Sequence, residues 1–395
     1  MNESVHSEGN DASRLLDAFC GAGEQPAVYR RSPTGEAMLA IGVSDDDATD
    51  DRRRIFWRAF DQASCDTDSR WSAFGRTESF TPRLMAIRRP GGRRIDVVGD
   101  EMATFDQYLD RHPRSPTEPP VITDRTELDE TSFVDGVRRI ADEGAVPKAV
   151  IARRLAVTTA TPMDPGAIAR HLVDTYPSCT VFAISPRDAL WPVFVGATPE
   201  RLVEIDDGIA TTMALAGTTR DIEGRSLEVA EEALLTSQKD RREHRFVRDM
   251  IVDVLEPYCR CVEADDEPGI LRLGRLSHLH TPIRGELADT WSLVDVADAL
   301  HPTPAVCGTP RDQALFLVRD VEPFDRGLYA GVLGWTDGAG NGEADVLLRA
   351  GLIDGRRAEL YAGAGITADS DIDVEWRETS QKFRPLLDAI TGGHK

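Results

Sequence analysis

Between residues 181 and 218 four β-rich runs follow one another closely: VFAISP, WPVFVGATP, ERLVEID and GIATTMALAGT. Gly, Pro and Asp break each run, and connections this short join antiparallel strands, because a parallel return needs a crossover of about a dozen residues. Three more such runs, YAGVLGWTD, ADVLLRAGLI and AELYAGAG, stand near the C-terminus, with helical periods before and between them in SFVDGVRRIADEG, DPGAIARHLVDTYP and WSLVDVADAL. The chain therefore reads as α+β, with large antiparallel β-sheets and flanking helices, and not as a doubly wound Rossmann sheet.

Other elements complete this reading. SRLLDAFCGA and RRIFWRAFDQAS predict helices, EAMLAIGVSD a strand, and PRLMAIRRPGGRRIDVVGD a hairpin around Pro90-Gly91-Gly92. PKAVIARRLAVTTAT predicts a strand, and Asp164 with Pro165 caps the helix that follows. One long helix is expected from about 224 to 257, and a further helix closes the chain. The proline-rich RHPRSPTEPP at 111–120 reads as a boundary or an exposed connection.

Lys and Arg total 46 against 68 Asp and Glu, a net charge of −22, which argues against nucleic acid or an anionic membrane as partner. An anionic ligand must then be held by local Arg, Lys, backbone N–H groups or a metal. No apolar run spans a bilayer, and MNESVHSEGNDASR has neither a basic nor an apolar leader region, so a cytoplasmic protein is expected. Six cysteines without a C-x-x-C pair indicate neither a disulfide framework nor a zinc site, and Cys259 and Cys261 read as strand residues.

Two acidic pairs share one spacing: Asp240 with Glu243, and Glu375 with Glu378. On a helix, residues three apart share a face, and such a face is ordinarily just solvated. Here each pair also has a cation or donor beside it, His244 or Lys382, and the second follows a glycine-rich strand, AELYAGAGIT. Two such faces would make an oxygen-rich site suited to Mg2+ and an anionic substrate.

Taken together, FVGATPERLV, LAGT, KDRREH, HLHTPIRG, HPTPAVCGTPR, DRGLYAGVLGW and YAGAGI resemble, in order and interval, the chorismate-utilising enzymes related to anthranilate synthase component I. The resemblance covers about residues 130 to 390. It implies a chorismate-binding catalytic domain over 126–395, with 1–125 a variable portion packed on the same fold. It also implies Mg2+ as cofactor, with Glu243 and Glu378 as direct ligands and Asp240 and Glu375 acting directly or through water. Most members carry Glu in place of Asp240, and the shorter side chain favours the water-mediated role.

The same resemblance implies the other roles. Lys148 matches the general base of members that add water, where members that add ammonia have glutamine; a lysine in that role needs a lowered pKa. Glu200 matches a general acid that protonates the departing C4 hydroxyl, and must hold its proton at working pH. His278 matches a histidine near that hydroxyl. Arg349, with Tyr329 beside it, matches the residue that takes the enolpyruvyl carboxylate, while Gly363, Ala364 and Gly365 offer backbone N–H groups and Lys382 a point charge. Gly217 and Thr218 form a turn near the ring.

HPTPAV is the form typical of isochorismate synthases, and salicylate synthases usually have threonine where Ala305 stands. The resemblance thus implies a Mg2+-dependent isochorismate synthase, with a salicylate synthase, which goes on to eliminate pyruvate, as the alternative. A non-catalytic binding subunit is disfavoured because Lys148 and Glu200 are both present. No obligate amidotransferase subunit is expected, and the low aromatic content of 6% predicts a monomer. Menaquinone, siderophore and salicylate pathways all fit such a product.

Overall fold

The run that begins at Lys148 forms the strand Lys148–Thr159, in which residues 149–153 are buried without a break, so both of its faces are covered. The computed structural model describes residues 11–44, 53–63, 70–92, 94–99, 102–111, 118–186, 192–220, 227–273 and 276–393. These form two compact units, one of residues 1–200, 302–335 and 345–395, the other of 201–301 and 336–344.

In the first unit, Lys148–Thr159 lies between the two-residue strand Gly308–Thr309 and Arg357–Thr367 in an 11-stranded sheet. The order continues through Ala350–Asp354, Val193–Thr198, Thr180–Ser185, Ala27–Arg31, Ala37–Val43, Pro82–Arg88 and Ile95–Gly99. The pairings along it are antiparallel, as the short connections require. Residues of the N-terminal third thus extend the sheet that carries Lys148.

Helices Asp11–Cys20, Met102–Arg111, Pro165–Thr175 and Ile372–Ile390 supply Leu15, Phe105, Leu172, Phe383 and Leu386 to one apolar core with the sheet. Each such side chain contributes about 2 kcal/mol by leaving water. Caps fix where two of these helices begin. Asp164 accepts from the Gly166 N–H at 2.8 Å, with Pro165 in the first turn, and Asp371 accepts from the Val374 N–H at 3.0 Å.

In the second unit the strands Cys259–Ala264, Leu276–Leu287, Ile209–Arg220 and Arg201–Asp206 pair antiparallel in that order, and Gly269–Leu273 also pairs with Leu276–Leu287. Helices Leu227–Thr236, Gln238–Leu255 and Leu293–Leu300 belong to this unit.

Three expected elements come out differently. The RRIFWRAFDQAS run contains a strand, Arg54–Arg58, not a helix, and its Ile55, Phe56 and Trp57 are consecutively buried. The helix expected over about 224 to 257 is two, Leu227–Thr236 and Gln238–Leu255, because the Ser237 hydroxyl accepts from the Asp240 N–H and starts a new helix. ADVLLRAGLI spans two strands, Gly342–Val346 and Ala350–Asp354, since Arg349 between them adopts a left-handed φ of 49°. Most of the proline-rich 111–120 segment lies outside the described residues.

Candidate active site

Strand Lys148–Thr159 pairs with Arg357–Thr367 in unbroken register from Lys148↔Thr367 to Thr158↔Arg357. Side chains alternate across such a ladder, so Lys148, Val150 and Ala152 share a face with Gly363 and Gly365. A Cβ built on Gly365 would stand 3.3 Å from Lys148 Cε, so the lysine lies over an exposed glycine. A Cβ on Gly363 would stand 3.4 Å from the Tyr329 hydroxyl, which is itself bonded to the Gly363 backbone. Ala364, between the two glycines, is buried. Burial pushes the Tyr329 phenol up, so it stays protonated, and its ring stacks on Tyr361 at 5.3 Å.

Glu200 follows strand Val193–Thr198 in a turn tied at both ends. The Thr198 hydroxyl donates to the Val346 carbonyl at 2.5 Å and accepts from the Glu200 N–H at 3.2 Å, while the Glu200 carbonyl accepts from the Val346 N–H at 2.9 Å. Burial pushes the Glu200 carboxyl up to about 7, against the pull of Lys382, Lys148 and Arg349. Desolvation outweighs three cations here, leaving an acid that is half protonated near neutrality. The same interactions bring Lys148, Glu200, Arg349 and Lys382 into one electrostatic neighbourhood.

Arg349 holds a backbone conformation that costs a residue with a side chain on the order of 1 kcal/mol, and its carbonyl accepts from the Ala197 N–H at 3.3 Å. Helix Ile372–Ile390 presents Glu375, Glu378 and Lys382 along one face. Lys382 Nζ bridges the Glu378 carboxylate and the Gly363 carbonyl, each at 2.8 Å. Burial and then the nearby Glu378 charge push the Glu375 carboxyl up, although Ser370 bonds it. Two carboxylates on one helix face, one of them raised by the charge of the other, are a donor set that a hard divalent cation would relieve, so these residues fit Mg2+.

The second unit holds Gly217, Thr218, Asp240, Glu243 and His278. Gly217 has φ 71° at a bulge between Ala216 and Thr218, and a Cβ on it would stand 3.2 Å from Asp240 Cβ. The LAGT turn and Asp240 are thus in contact, with Asp240 in the first turn of its helix. The side chains of Glu243 and Thr218 lie outside the described residues. His278 is half-buried, opposite Thr218 and Leu271 in the ladders of its strand. His244 does not offer a cation beside the acids: it is 2% exposed, its Nε2 bonds the Thr281 hydroxyl at 2.8 Å, and burial lowers its pKa.

One set of residues was missed by the sequence. Arg326 and Glu322 form a buried ion pair whose arginine donates to the carbonyls of Val150 at 2.6 Å and Val306 at 2.9 Å, while Glu322 accepts from the Ala152 N–H at 2.7 Å. The pair thereby ties the strand that starts at Lys148 to the loop that carries Ala305. Ala305 itself is exposed. Arg326 stands in DRGLYAGVLGW, but a buried arginine has no periodic signature; only the separation of four from Glu322 hinted at the pair.

Comparison with known proteins bears on this arrangement. A family model described as chorismate binding enzyme matches residues 39–391. The salicylate biosynthesis isochorismate synthase of Pseudomonas aeruginosa is 42% identical over 253 residues, 63% of this chain. The matched region is 52% of that protein, so the chain spans about half of it. Isochorismate synthase MenF of Bacillus subtilis (strain 168) is 32% identical over 340 residues, 82% of this chain and 72% of that protein. The fold is that of MenF, the menaquinone-specific isochorismate synthase from Escherichia coli, with a TM-score of 0.78 at 24% identity over 99% of this chain and 94% of that one. No helix among the described residues is long and apolar enough to cross a membrane.

Proposed function

Because the chain belongs to the chorismate-binding enzyme family, we propose that it is an isochorismate synthase, which moves a hydroxyl from C4 to C2 of the chorismate ring. The observation that carries this reading is the Glu200 carboxyl held at about 7 in the neighbourhood of Lys148. Lys148 takes a proton from water, the water oxygen bonds C2, the ring double bonds shift, and the C4–O bond breaks as Glu200 gives its proton to the departing hydroxyl. One water enters and one leaves, so no other reactant is needed. Arg349 holds the enolpyruvyl carboxylate, and Tyr329 keeps the Gly363 backbone in place. Glu378, with Glu375 directly or through water, would hold Mg2+, and the second unit carries the other acidic pair, Asp240 and Glu243. Bound there, such a cation would supply neutralisation of the substrate's carboxylate charge.

Ala305 supports release of isochorismate without pyruvate. The protein acts as a monomer and needs no amidotransferase subunit. Chromatography of a reaction with chorismate and Mg2+ tests the proposal. Isochorismate alone is the expected product; salicylate with pyruvate would move the chain to the salicylate synthases, and binding without turnover would make it a non-catalytic relative.

A further inference from the structure

Arg153 is fully buried, and its side chain is committed almost entirely to one helix. Its Nε donates to the Thr379 hydroxyl at 2.8 Å, and its Nη2 to the Ser380 hydroxyl at 2.7 Å and the Trp376 carbonyl at 3.2 Å. Its Nη1 pairs with Glu127. The guanidinium also lies over the Trp376 ring at 3.6 Å and near Phe383 at 4.9 Å. Apolar packing specifies the helix's rotation and height less sharply than hydrogen bonds do, because the hydrophobic effect has no direction. These bonds do have direction, and they fall on residues 376–380, interleaved with Glu375, Glu378 and Lys382.

Spacing in the strand completes the geometry. Arg153 is five residues from Lys148 in an unbulged ladder, so the two side chains leave opposite faces of the sheet. On the helix, the gripped residues and the acidic face are offset by about 100° around the axis, the step of one residue. A slip of one residue would turn the carboxylates away by that angle and shift them about 1.5 Å along the axis.

We propose that Arg153 is a positioning residue for the metal-binding carboxylates: it fixes the rotation and height of helix Ile372–Ile390 on the strand that begins at Lys148. This role rests on the proposed metal site of Glu375 and Glu378. Arg153 touches neither substrate nor metal, and acts through the helix.

The test is a titration of the full chain with Mn2+, a paramagnetic stand-in for Mg2+, followed by spin resonance without turnover. Thr379→Val and Ser380→Ala each delete one bond to Arg153, and each is expected to weaken Mn2+ binding about fivefold. Arg153→Met is expected to weaken it tenfold or more, the usual effect of removing a residue that orients metal ligands. Leu387→Ala loosens the same helix in the apolar core without touching Arg153, so it should lower the thermal midpoint and leave Mn2+ affinity unchanged. Unchanged affinity in the hydroxyl variants, or an equal loss in Leu387→Ala, overturns the positioning role. If Arg153→Met does not fold, the two hydroxyl variants decide the matter. Absence of Mn2+ binding by the unaltered protein overturns the metal site and this role together, whereas binding that no variant weakens overturns this role alone.

Discussion

The Lys148 side chain lies across Gly365 so closely that a Cβ on the glycine would come within 3.3 Å of Lys148 Cε. Gly365→Ala should therefore push the ammonium a few tenths of an ångström from its place without disturbing the exposed surface around it. We expect kcat to fall about tenfold with KM little changed, since a small misplacement weighs on the transition state. Lys148→Ala should abolish turnover and leave the circular dichroism spectrum intact. Full activity in Lys148→Ala would refute the base assignment.

Glu200 links activity to pH. Its folded pKa of about 7 stands above the ordinary value of 4.5. Between these values the unfolded chain has lost the proton and the folded chain still holds it. Stability is therefore fully present below pH 4.5 and falls as pH rises toward 7. Glu200→Gln cannot ionise, so it should melt at a higher temperature than the unaltered protein at pH 8, with the gap closing by about pH 4. The same variant should be inactive, and the unaltered enzyme should lose kcat/KM as the acid deprotonates above about pH 7. Equal melting curves at pH 8 would contradict the buried-acid account.

Arg349 offers a planar fork that lysine lacks. Arg349→Lys should raise the KM for chorismate roughly thirtyfold, the equivalent of about 2 kcal/mol for a lost charge-assisted hydrogen bond. Steady-state kinetics across substrate concentrations separates this from an effect on kcat.

The Glu322–Arg326 pair should be a stability determinant. Arg326→Met leaves Glu322 buried without its cation and strands the Val150 and Val306 carbonyls, so a loss of about 3–5 kcal/mol is expected in urea denaturation. A double change of both residues to apolar side chains should recover part of that loss.

The antiparallel sheets were legible because short breaks between β-rich runs leave few other topologies. Arg54–Arg58 was not, since a strand buried on both faces shows no alternation, and RIFWR fits a helix equally well. The break at Ser237 was hidden because one hydroxyl set it inside an otherwise continuous helical period. At Arg349 the usual marker of a left-handed residue, glycine or asparagine, is missing, so ADVLLRAGLI read as one strand. Of the candidate site, Lys148, Glu200, Arg349 and Lys382 were singled out by resemblance, and folding brings the three cations near Glu200. Arg153 and Arg326 were not, because what marks them is the set of long-range carbonyl, hydroxyl and carboxylate partners that only the fold supplies.

Ala305 sits exposed on a loop whose neighbour Val306 is held from below by Arg326. The burden of folding is thus carried by the backbone beside it and not by its own methyl group. Side chains of other sizes can be exchanged at this position at little thermodynamic expense. A lineage built on this scaffold can therefore vary this loop position by single substitutions with the scaffold itself left unchanged.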